Sequence, residues 1–209
     1  FSEEKFSKAF HSSPVLKTIE DKNHKFVEVN EAFLDSFGFE RTDVIGRTAS
    51  ELNIFYAPED VVALRQSLQE NNGILKDFEM RFRRGSGEMG FILLSSDNFY
   101  VDDIEYTLTS GLDITERKRA EEKYRDIFNN SIDGIFQSTE DGRFLSVNPA
   151  MARIYGYDSP EDMLGNVKDI RTQVYVNAEE RDDVRRRLNA GEKLTGYETL
   201  DYRKDGTAF

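Results

Sequence analysis

Three glycines have a spacing that could bind a dinucleotide. Gly85, Gly87 and Gly90 match the pattern G-x-G-x-x-G. That site requires a helix to begin directly after the glycines, because backbone N–H groups at a helix N-terminus hold the pyrophosphate. Residues 89–95 instead predict a β-strand, so we interpret the glycines as a turn between two strands rather than a nucleotide site.

Groups that could bind metal or attack a substrate are few. His11 and His24 are the only histidines and the chain contains no cysteine, so the sequence predicts no metal site and offers no thiolate nucleophile. The consecutive acids Asp102-Asp103 cannot face one substrate from the same side. We therefore predict no catalytic residue and no enzymatic activity for these 209 residues.

Composition narrows the class of protein further. Acidic residues number 40 and basic residues 28, giving a net charge of −12, so nucleic acid and anionic membrane surfaces are repelled on average. No apolar run approaches the roughly 18 residues that span a bilayer, and no secretory signal is present. We expect a cytoplasmic protein that binds no nucleic acid and does not insert into membranes. Since the chain opens on Phe1 rather than methionine, we also expect a preceding segment.

A charged helix is predicted in the middle of the chain. Asp113 and Glu116 have the spacing of a capping box, and Thr115 is an equally plausible cap. No glycine or proline occurs from there to Asn129. The apolar positions form a narrow stripe, Ala120, Tyr124, Ile127 and Phe128. This stripe favours a homodimer seam, although it covers only about one and a half heptads, and a solvated inter-domain helix remains the alternative.

The chain repeats itself around this helix. Residues 3–6, EEKF, match residues 121–124, EEKY, at an offset of 118 because 121 minus 3 is 118. The same offset aligns Val29-Asn30 with Val147-Asn148. We interpret this as a tandem duplication of one domain type. The N-terminal apolar residues Phe6 and Phe10 then correspond to the linker stripe and extend the predicted seam.

Each copy predicts the same order of elements. In the first copy these are strands 15–20 and 25–29, helices 31–37 and 59–70, and strands 75–84, 89–97 and 104–112. Val61, Val62, Leu64 and Leu68 are expected to face the core. The second copy repeats the order with strands 132–138 and 144–147, helices at 151–155 and 179–189, and a third strand at 197–204.

These patterns resemble tandem PAS domains of bacterial or archaeal sensor proteins, such as sensor histidine kinases and cyclic-dinucleotide enzymes. The residues that carry the resemblance are FVEVN at 26–30, FLSVN at 144–148, FGF at 37–39, YGY at 155–157 and GLDITER at 111–117. The resemblance implies an α+β fold with a five-stranded antiparallel sheet of order 2-1-5-4-3 in each copy and short helices on one face. It also implies that the last run passes conformational change into the following helix, through the relay positions Asp113, Thr115, Glu116 and Arg117.

Domain limits follow from these elements. We expect a first PAS domain with its N-terminal helix at 1–115, a helical linker at 116–129 and a second PAS domain at 130–209. Gly206 matches Gly87 at an offset of 119, near where the first copy begins its fourth strand. We therefore expect the second copy to lack its last two strands and the chain to be a fragment.

The aromatic residues of the first copy could line a cavity for a small apolar ligand or could simply fill the core. The candidates are Phe33, Phe37, Phe55, Phe78, Phe82 and Phe91. No cofactor is predicted. Neither long helix contains the histidine expected of a haem-binding relative, and no cysteine is present to form a flavin adduct.

Three functions are left open by the sequence. The first is a sensory module that relays a signal through the linker helix to a C-terminal effector, such as a histidine kinase or a diguanylate cyclase. The second is a ligand-free dimerisation or spacer module. The third is a small-molecule-binding domain without signalling output.

Overall fold

The computed structural model describes residues 2–209, with side chains from Glu4 onward. The chain divides into two compact units, with the division between Ala120 and Glu121. That division lies inside helix α5, Thr115–Asn130. The predicted linker helix is therefore helical throughout.

The first unit is an antiparallel sheet with helices. Its elements in chain order are α1 Ser2–His11, β1 Leu16–Asp21, β2 Phe26–Val29, α2 Glu31–Phe37, α3 Arg41–Val44, α4 Pro58–Glu70, β3 Phe78–Arg83, β4 Met89–Val101 and β5 Ile104–Asp113. The strand order is β2-β1-β5-β4-β3. The predicted α+β class and strand order are confirmed.

Two glycines of the dinucleotide-like pattern, Gly85 and Gly87, lie in the turn between β3 and β4, and the third, Gly90, lies in β4. Gly87 has a φ of +86°, a conformation that glycine adopts without strain. A Cβ atom on Gly85 would lie 2.2 Å from the carbonyl oxygen of Phe37, so only glycine fits this approach of the turn to α2. Backbone geometry explains both glycines, and strand β4 follows them as predicted.

Helix α4 departs from the predicted core pattern. Val61, Leu64 and Leu68 line the interior, whereas Val62 has an exposed fraction of 64%. Val61, Leu64 and Leu68 recur at the i, i+3, i+7 spacing of one helix face, and each residue turns the helix by about 100°. Val62 therefore points away from the sheet, and its predicted core position is wrong.

The second unit contains fewer strands. Its elements after α5 are β6 Phe136–Ser138, β7 Phe144–Val147, α6 Pro149–Ile154, α7 Pro160–Asn166, α8 Ile170–Gln173 and α9 Ala178–Asn189. The sheet formed by its described residues has the two strands β6 and β7. The third strand predicted at 197–204 is wrong, because this segment makes only the isolated bridges of Asp201 with Tyr175 and of Tyr202 with Ala208. In the first unit β3 pairs with β4 along its whole length, and no described strand pairs in that way with 197–204.

Candidate functional site

A cavity of about 240 Å³ lies inside the first unit. One face of all five strands encloses it together with α2 and α4, and its lining is mainly aromatic and aliphatic. For comparison, an apolar cavity of about 150 Å³ holds a benzene molecule. The first unit therefore has room for a ligand somewhat larger than benzene.

The structure places four of the six predicted aromatic residues around the cavity. Phe33, Phe37, Phe55 and Phe82 line the cavity. Phe91 does not, because strand neighbours alternate between the two faces of a sheet and its neighbour Ile92 is buried on the cavity side.

Phe78 also does not line the cavity. It lies at the start of edge strand β3, partly buried, and packs against the core cluster without reaching the cavity. Sequence reasoning missed Phe26, which does line the cavity. The burial of Phe26 and Val29 at the two ends of β2 fits its apolar pattern, but periodicity could not distinguish a cavity wall from a filled core.

One end of the cavity is polar because of the strand register. Thr18 on β1 lies opposite Thr109 on β5, which lies opposite Ser96 on β4. Glu20 lies opposite Thr107 in the next inward-facing row. All five residues line the cavity. The sheet therefore places hydroxyl groups and one carboxyl group at the end of the cavity opposite Leu16, Ile92 and Phe82.

Glu20 is the acidic residue of this cavity. Burial of the carboxyl group raises its pKa from 4.5 to about 7, a hydrogen bond from the Thr18 hydroxyl to Oε1 at 3.3 Å opposes the shift, and the charge of Asp21 adds to it. His24 Nδ1 lies 3.8 Å from Oε2, and Arg65 of α4 also reaches the cavity. The carboxyl group consequently changes charge close to neutral pH.

We expect the Glu20→Gln variant to become more stable than the natural chain as pH rises. The unfolded chain releases the Glu20 proton near pH 4.5, whereas the folded chain keeps it until about pH 7, so stability is lost across this interval. The difference in free energy of unfolding should be near zero below pH 4.5 and reach about 2 to 3 kcal/mol by pH 8. Urea unfolding at several pH values measures it.

Exposed Glu88 provides the control for that titration. Glu88→Gln should follow the natural chain at every pH, and it leaves Asp21, His24 and Arg65 in place around Glu20. If the difference in free energy of unfolding between Glu20→Gln and the natural chain stays constant from pH 4.5 to 8, the raised pKa of Glu20 is contradicted.

The first turn of α5 is bonded to the sheet of the first unit. Thr115 is buried, with 2% of its surface exposed. Its hydroxyl accepts a hydrogen bond from the Phe91 N–H at 2.9 Å and donates one to Asp113 Oδ1 at 2.6 Å. Asp113 also accepts from Thr115 N at 2.9 Å and forms an ion pair with Arg84. Burial works against ionisation of Asp113, but the bonds from Thr115 and Arg84 outweigh it and lower its pKa.

The remaining two relay candidates occupy different positions. Arg117 Nη2 donates to Glu79 Oε1 on β3 at 3.1 Å, and Lys118 pairs with the other oxygen of Glu79. Glu116 is exposed and does not complete the predicted capping box, because Asp113 itself accepts the Thr115 N–H at the helix start. The contacts of α5 with β3 and β4 thus come from Thr115, Arg117 and Lys118, while Asp113 at the end of β5 bonds the first residue of the helix.

A buried asparagine binds the helix that enters each unit. Asn30 is fully buried and its Nδ2 donates to the carbonyl oxygen of Phe10 at the end of α1 at 3.2 Å. Asn148 is also fully buried, and its Nδ2 donates to the carbonyl oxygen of Phe128 at the end of α5 at 2.9 Å. Sequence reasoning used these residues only to align the repeat, although their retention in both copies after a valine was the signal that could have identified them.

The predicted seam residues differ in exposure. Phe10 is 3% exposed, whereas Phe6, Tyr124 and Ile127 are each more than half exposed. The Phe6 and Phe10 rings stack at 5.6 Å, and in the second copy Tyr124 stacks on Phe128 at 5.9 Å. Ala120 is exposed and Phe128 is half-buried. The two entering helices therefore present the same kind of aromatic pair.

The second unit replaces one ring pair of the first by a hydrogen bond. Phe37 packs edge-on against Phe82 at 5.1 Å in the first unit. The equivalent residues are Tyr155 and Asp201, and the Tyr155 hydroxyl donates to Asp201 Oδ2 at 2.5 Å. Burial together with this bond raises the pKa of Tyr155. The interiors of the two units therefore differ in polarity at this point.

Among the side chains that the structure describes, from Glu4 onward, no three His, Asp or Glu are grouped so that they could hold a metal ion. Within residues 2–209, no helix is both long enough and apolar enough to cross a membrane.

Family models match both units. Residues 13–116 match one model described as a PAS domain, and residues 122–190 match a second with the same description. The two matches fall on either side of residues 117–121 in α5. A search of curated proteins found no match.

Solved structures are similar to this chain at low sequence identity. An RNA-binding light-oxygen-voltage receptor is 19% identical with a TM-score of 0.50, and the match covers 60% of this chain and 36% of that one. The PAS domain of a protein from Colwellia psychrerythraea is 20% identical with a TM-score of 0.49, covering 56% of this chain and 100% of that one. The PAS domain of a two-component sensor histidine kinase is 16% identical with a TM-score of 0.45, covering 54% and 99%. This chain thus spans only about a third of the length of the receptor.

Proposed function

The chain belongs to the PAS domain family, with one domain in each unit, and from this premise we propose that it is a tandem sensory module. In this proposal the first domain detects a small ligand in its cavity, and α5 carries the resulting change towards the second domain. An effector such as a histidine kinase or a diguanylate cyclase, joined to the C-terminal side, would receive the signal in the cytoplasm. The module itself performs no catalysis.

One observation supports the relay above all. The Phe91 N–H binds the Thr115 hydroxyl, and the next residue of β4, Ile92, lines the cavity. On the other side of Phe91, Gly90 approaches the Phe82 ring so closely that a Cβ atom would lie 2.5 Å from it. A ligand that displaces Ile92 or Phe82 therefore moves the strand to which the start of α5 is bonded.

Native mass spectrometry combined with hydrogen exchange tests this proposal. The freshly purified chain should carry a small molecule, and its removal should increase amide exchange in the first turn of α5. A chain that carries no molecule would contradict the sensor. A bound molecule whose removal leaves exchange of α5 unchanged would instead favour a binding domain without signalling output.

A second candidate function is dimerisation, which the exposure of three apolar residues on the entering helices favours. Phe6 is 55%, Tyr124 57% and Ile127 58% exposed. Paired helices from two chains would cover this stripe, and α5 is long enough for about two heptads. A homodimer is compatible with the sensory proposal and would also suit a plain spacer.

We expect the double variant Tyr124→Glu and Ile127→Glu to convert dimers to monomers. Two buried charges on each chain would oppose closure of an apolar seam. Light scattering measures the mass. Glu122→Lys is the control, because Glu122 is exposed and lies roughly 140° around the helix from Ile127. An unchanged mass in the double variant would remove the seam from consideration.

A further inference from the structure

We propose that the cavity of the first domain takes a compact, mostly apolar molecule whose polar head group donates a hydrogen bond to the Glu20 carboxyl group. The inference rests on the proposed function, since it names the class of ligand for the same cavity. Three features of the lining carry it: its size, its aromatic wall and the unused hydrogen-bonding capacity at its polar end.

The aromatic wall selects the body of the ligand. Phe26, Phe33 and Phe37 form a continuous series of ring contacts at 5.3 and 4.7 Å, and Phe82 extends it with a contact to Phe37 at 5.1 Å. Such a surface gains most from an aromatic or branched apolar group. The volume of about 240 Å³ lies below the 300 to 1,000 Å³ of sites for drug-sized ligands, so large planar cofactors are too big.

Most polar side chains at the polar end of the cavity already have a hydrogen-bond partner. The Thr107 hydroxyl donates to Asn98 Oδ1 at 2.9 Å, and Ser96 Oγ accepts from the Leu75 N–H at 2.8 Å. These bonds fix the orientation of the two side chains, although the Ser96 hydroxyl can still donate and the Thr107 hydroxyl can still accept one further bond.

Glu20 and Thr109 retain capacity. Glu20 Oε2 lies 3.8 Å from His24 Nδ1, a distance too long for a hydrogen bond. The hydroxyl of Thr109, which lines the cavity, makes no hydrogen bond to any group that the structure describes, with side chains counted from Glu4 onward. Above about pH 7, where Glu20 is ionised, the open oxygen accepts, so the complementary head group at pH 8 is a donor such as a hydroxyl or an amine.

The basic residues of the lining do not alter this preference. His24 has a side-chain exposure of 72%, and Arg65 is also exposed. Both therefore lie at the mouth of the cavity, where water screens their charge. Glu20 has a side-chain exposure of 19%, so its interactions with a bound head group are screened much less.

A series of three probes that share an ethylbenzene body tests the assignment by calorimetry on the 209-residue chain. We expect 4-ethylphenol to bind about tenfold more tightly than ethylbenzene, the effect of one hydrogen bond to a carboxyl group. Binding of 2-phenylethylamine more tightly than the phenol identifies a cationic head group, and weaker binding identifies a neutral one. Both results support a donor.

Variants of Glu20 test whether this residue makes the contact with the head group. Glu20→Leu should remove the preference for 4-ethylphenol while ethylbenzene still binds, and Glu20→Gln should keep much of the preference because the amide oxygen accepts.

Equal affinity of ethylbenzene and 4-ethylphenol for the natural chain overturns the donor assignment and leaves the cavity as a ligand site. Failure of all three probes to bind overturns the assigned ligand class, whereas the sensory function is judged by its own co-purification experiment. Even if Glu20→Leu does not fold, the affinities of ethylbenzene and 4-ethylphenol for the natural chain still test the donor assignment.

Discussion

Replacing Asn30 by alanine is expected to lower the free energy of unfolding of the first domain by about 4 kcal/mol. Asn30 Oδ1 accepts from the N–H groups of Lys17 and Phe33 at 2.9 and 3.0 Å. Its Nδ2 donates to the carbonyl oxygens of Phe10, Ser13 and Val15 at 2.8 to 3.2 Å. Alanine leaves the Lys17 N–H and the Phe10 and Ser13 carbonyl oxygens without this partner at a site where Asn30 is 0% exposed, and each unsatisfied buried group costs about 1 to 3 kcal/mol.

Hydrogen exchange resolved by domain is the appropriate measurement. Exchange throughout the first sheet should accelerate, and the C-terminal end of α1 should lose protection first, since the Phe10 carbonyl loses its bond. Asn148→Ala should produce the same result in the second domain and at the end of α5, because Asn148 makes equivalent bonds to Phe128, Asp133, Ile135 and Met151.

Asn23 supplies the matched control. It lies exposed in the turn between β1 and β2, so Asn23→Ala should change stability by less than about 0.5 kcal/mol. An effect of Asn30→Ala no larger than that of Asn23→Ala would show that the buried amide does not hold the entering helix.

Replacing Thr115 by valine is expected to destabilise the start of α5 by about 2 kcal/mol. Valine has nearly the same shape, but it removes the acceptor of the Phe91 N–H and the donor to Asp113. Because Thr115 is 2% exposed, water cannot replace these bonds easily. Amide exchange in the first turn of α5 should become about 30-fold faster, as 1.4 kcal/mol corresponds to tenfold.

The conservative variant separates a hydroxyl effect from a packing effect. Thr115→Ser keeps the hydroxyl and loses a methyl group, so its α5 exchange should remain much closer to that of the natural chain. If the serine and valine variants exchange equally fast, the hydroxyl does not fasten α5 to β4. Under the proposed function, Thr115→Val should also weaken any ligand-dependent change in α5 while ligand binding persists, since Thr115 does not line the cavity.

Much of the fold follows from local sequence. Strand pairs in the first unit are marked by alternating apolar residues and by turns that need a left-handed backbone, as at Gly87 and at Asp102 and Asp103 with φ of +86°, +49° and +65°. The strand order required the family resemblance, because pairing between β1 and β5 joins residues about 90 positions apart and leaves no local pattern. The predicted strand at 197–204 shows the same limit, since a strand forms only where a partner strand is available to it.

Some features of this protein could be determined from the sequence alone, whereas the cavity depends on the tertiary structure. The duplication, the order of strands and helices in the first copy, the absence of cysteine and the helix of 115–130 could be read from residue types and spacing, since they depend on interactions within a few turns or on direct counting. Whether the aromatic residues enclose space or fill it depends on how five strands and two helices meet, which no spacing encodes. Only that assembly turned Phe91 outward and placed Glu20 beside Thr107 at the end of an apolar cavity, because burial and strand register are properties of residues distant in the chain.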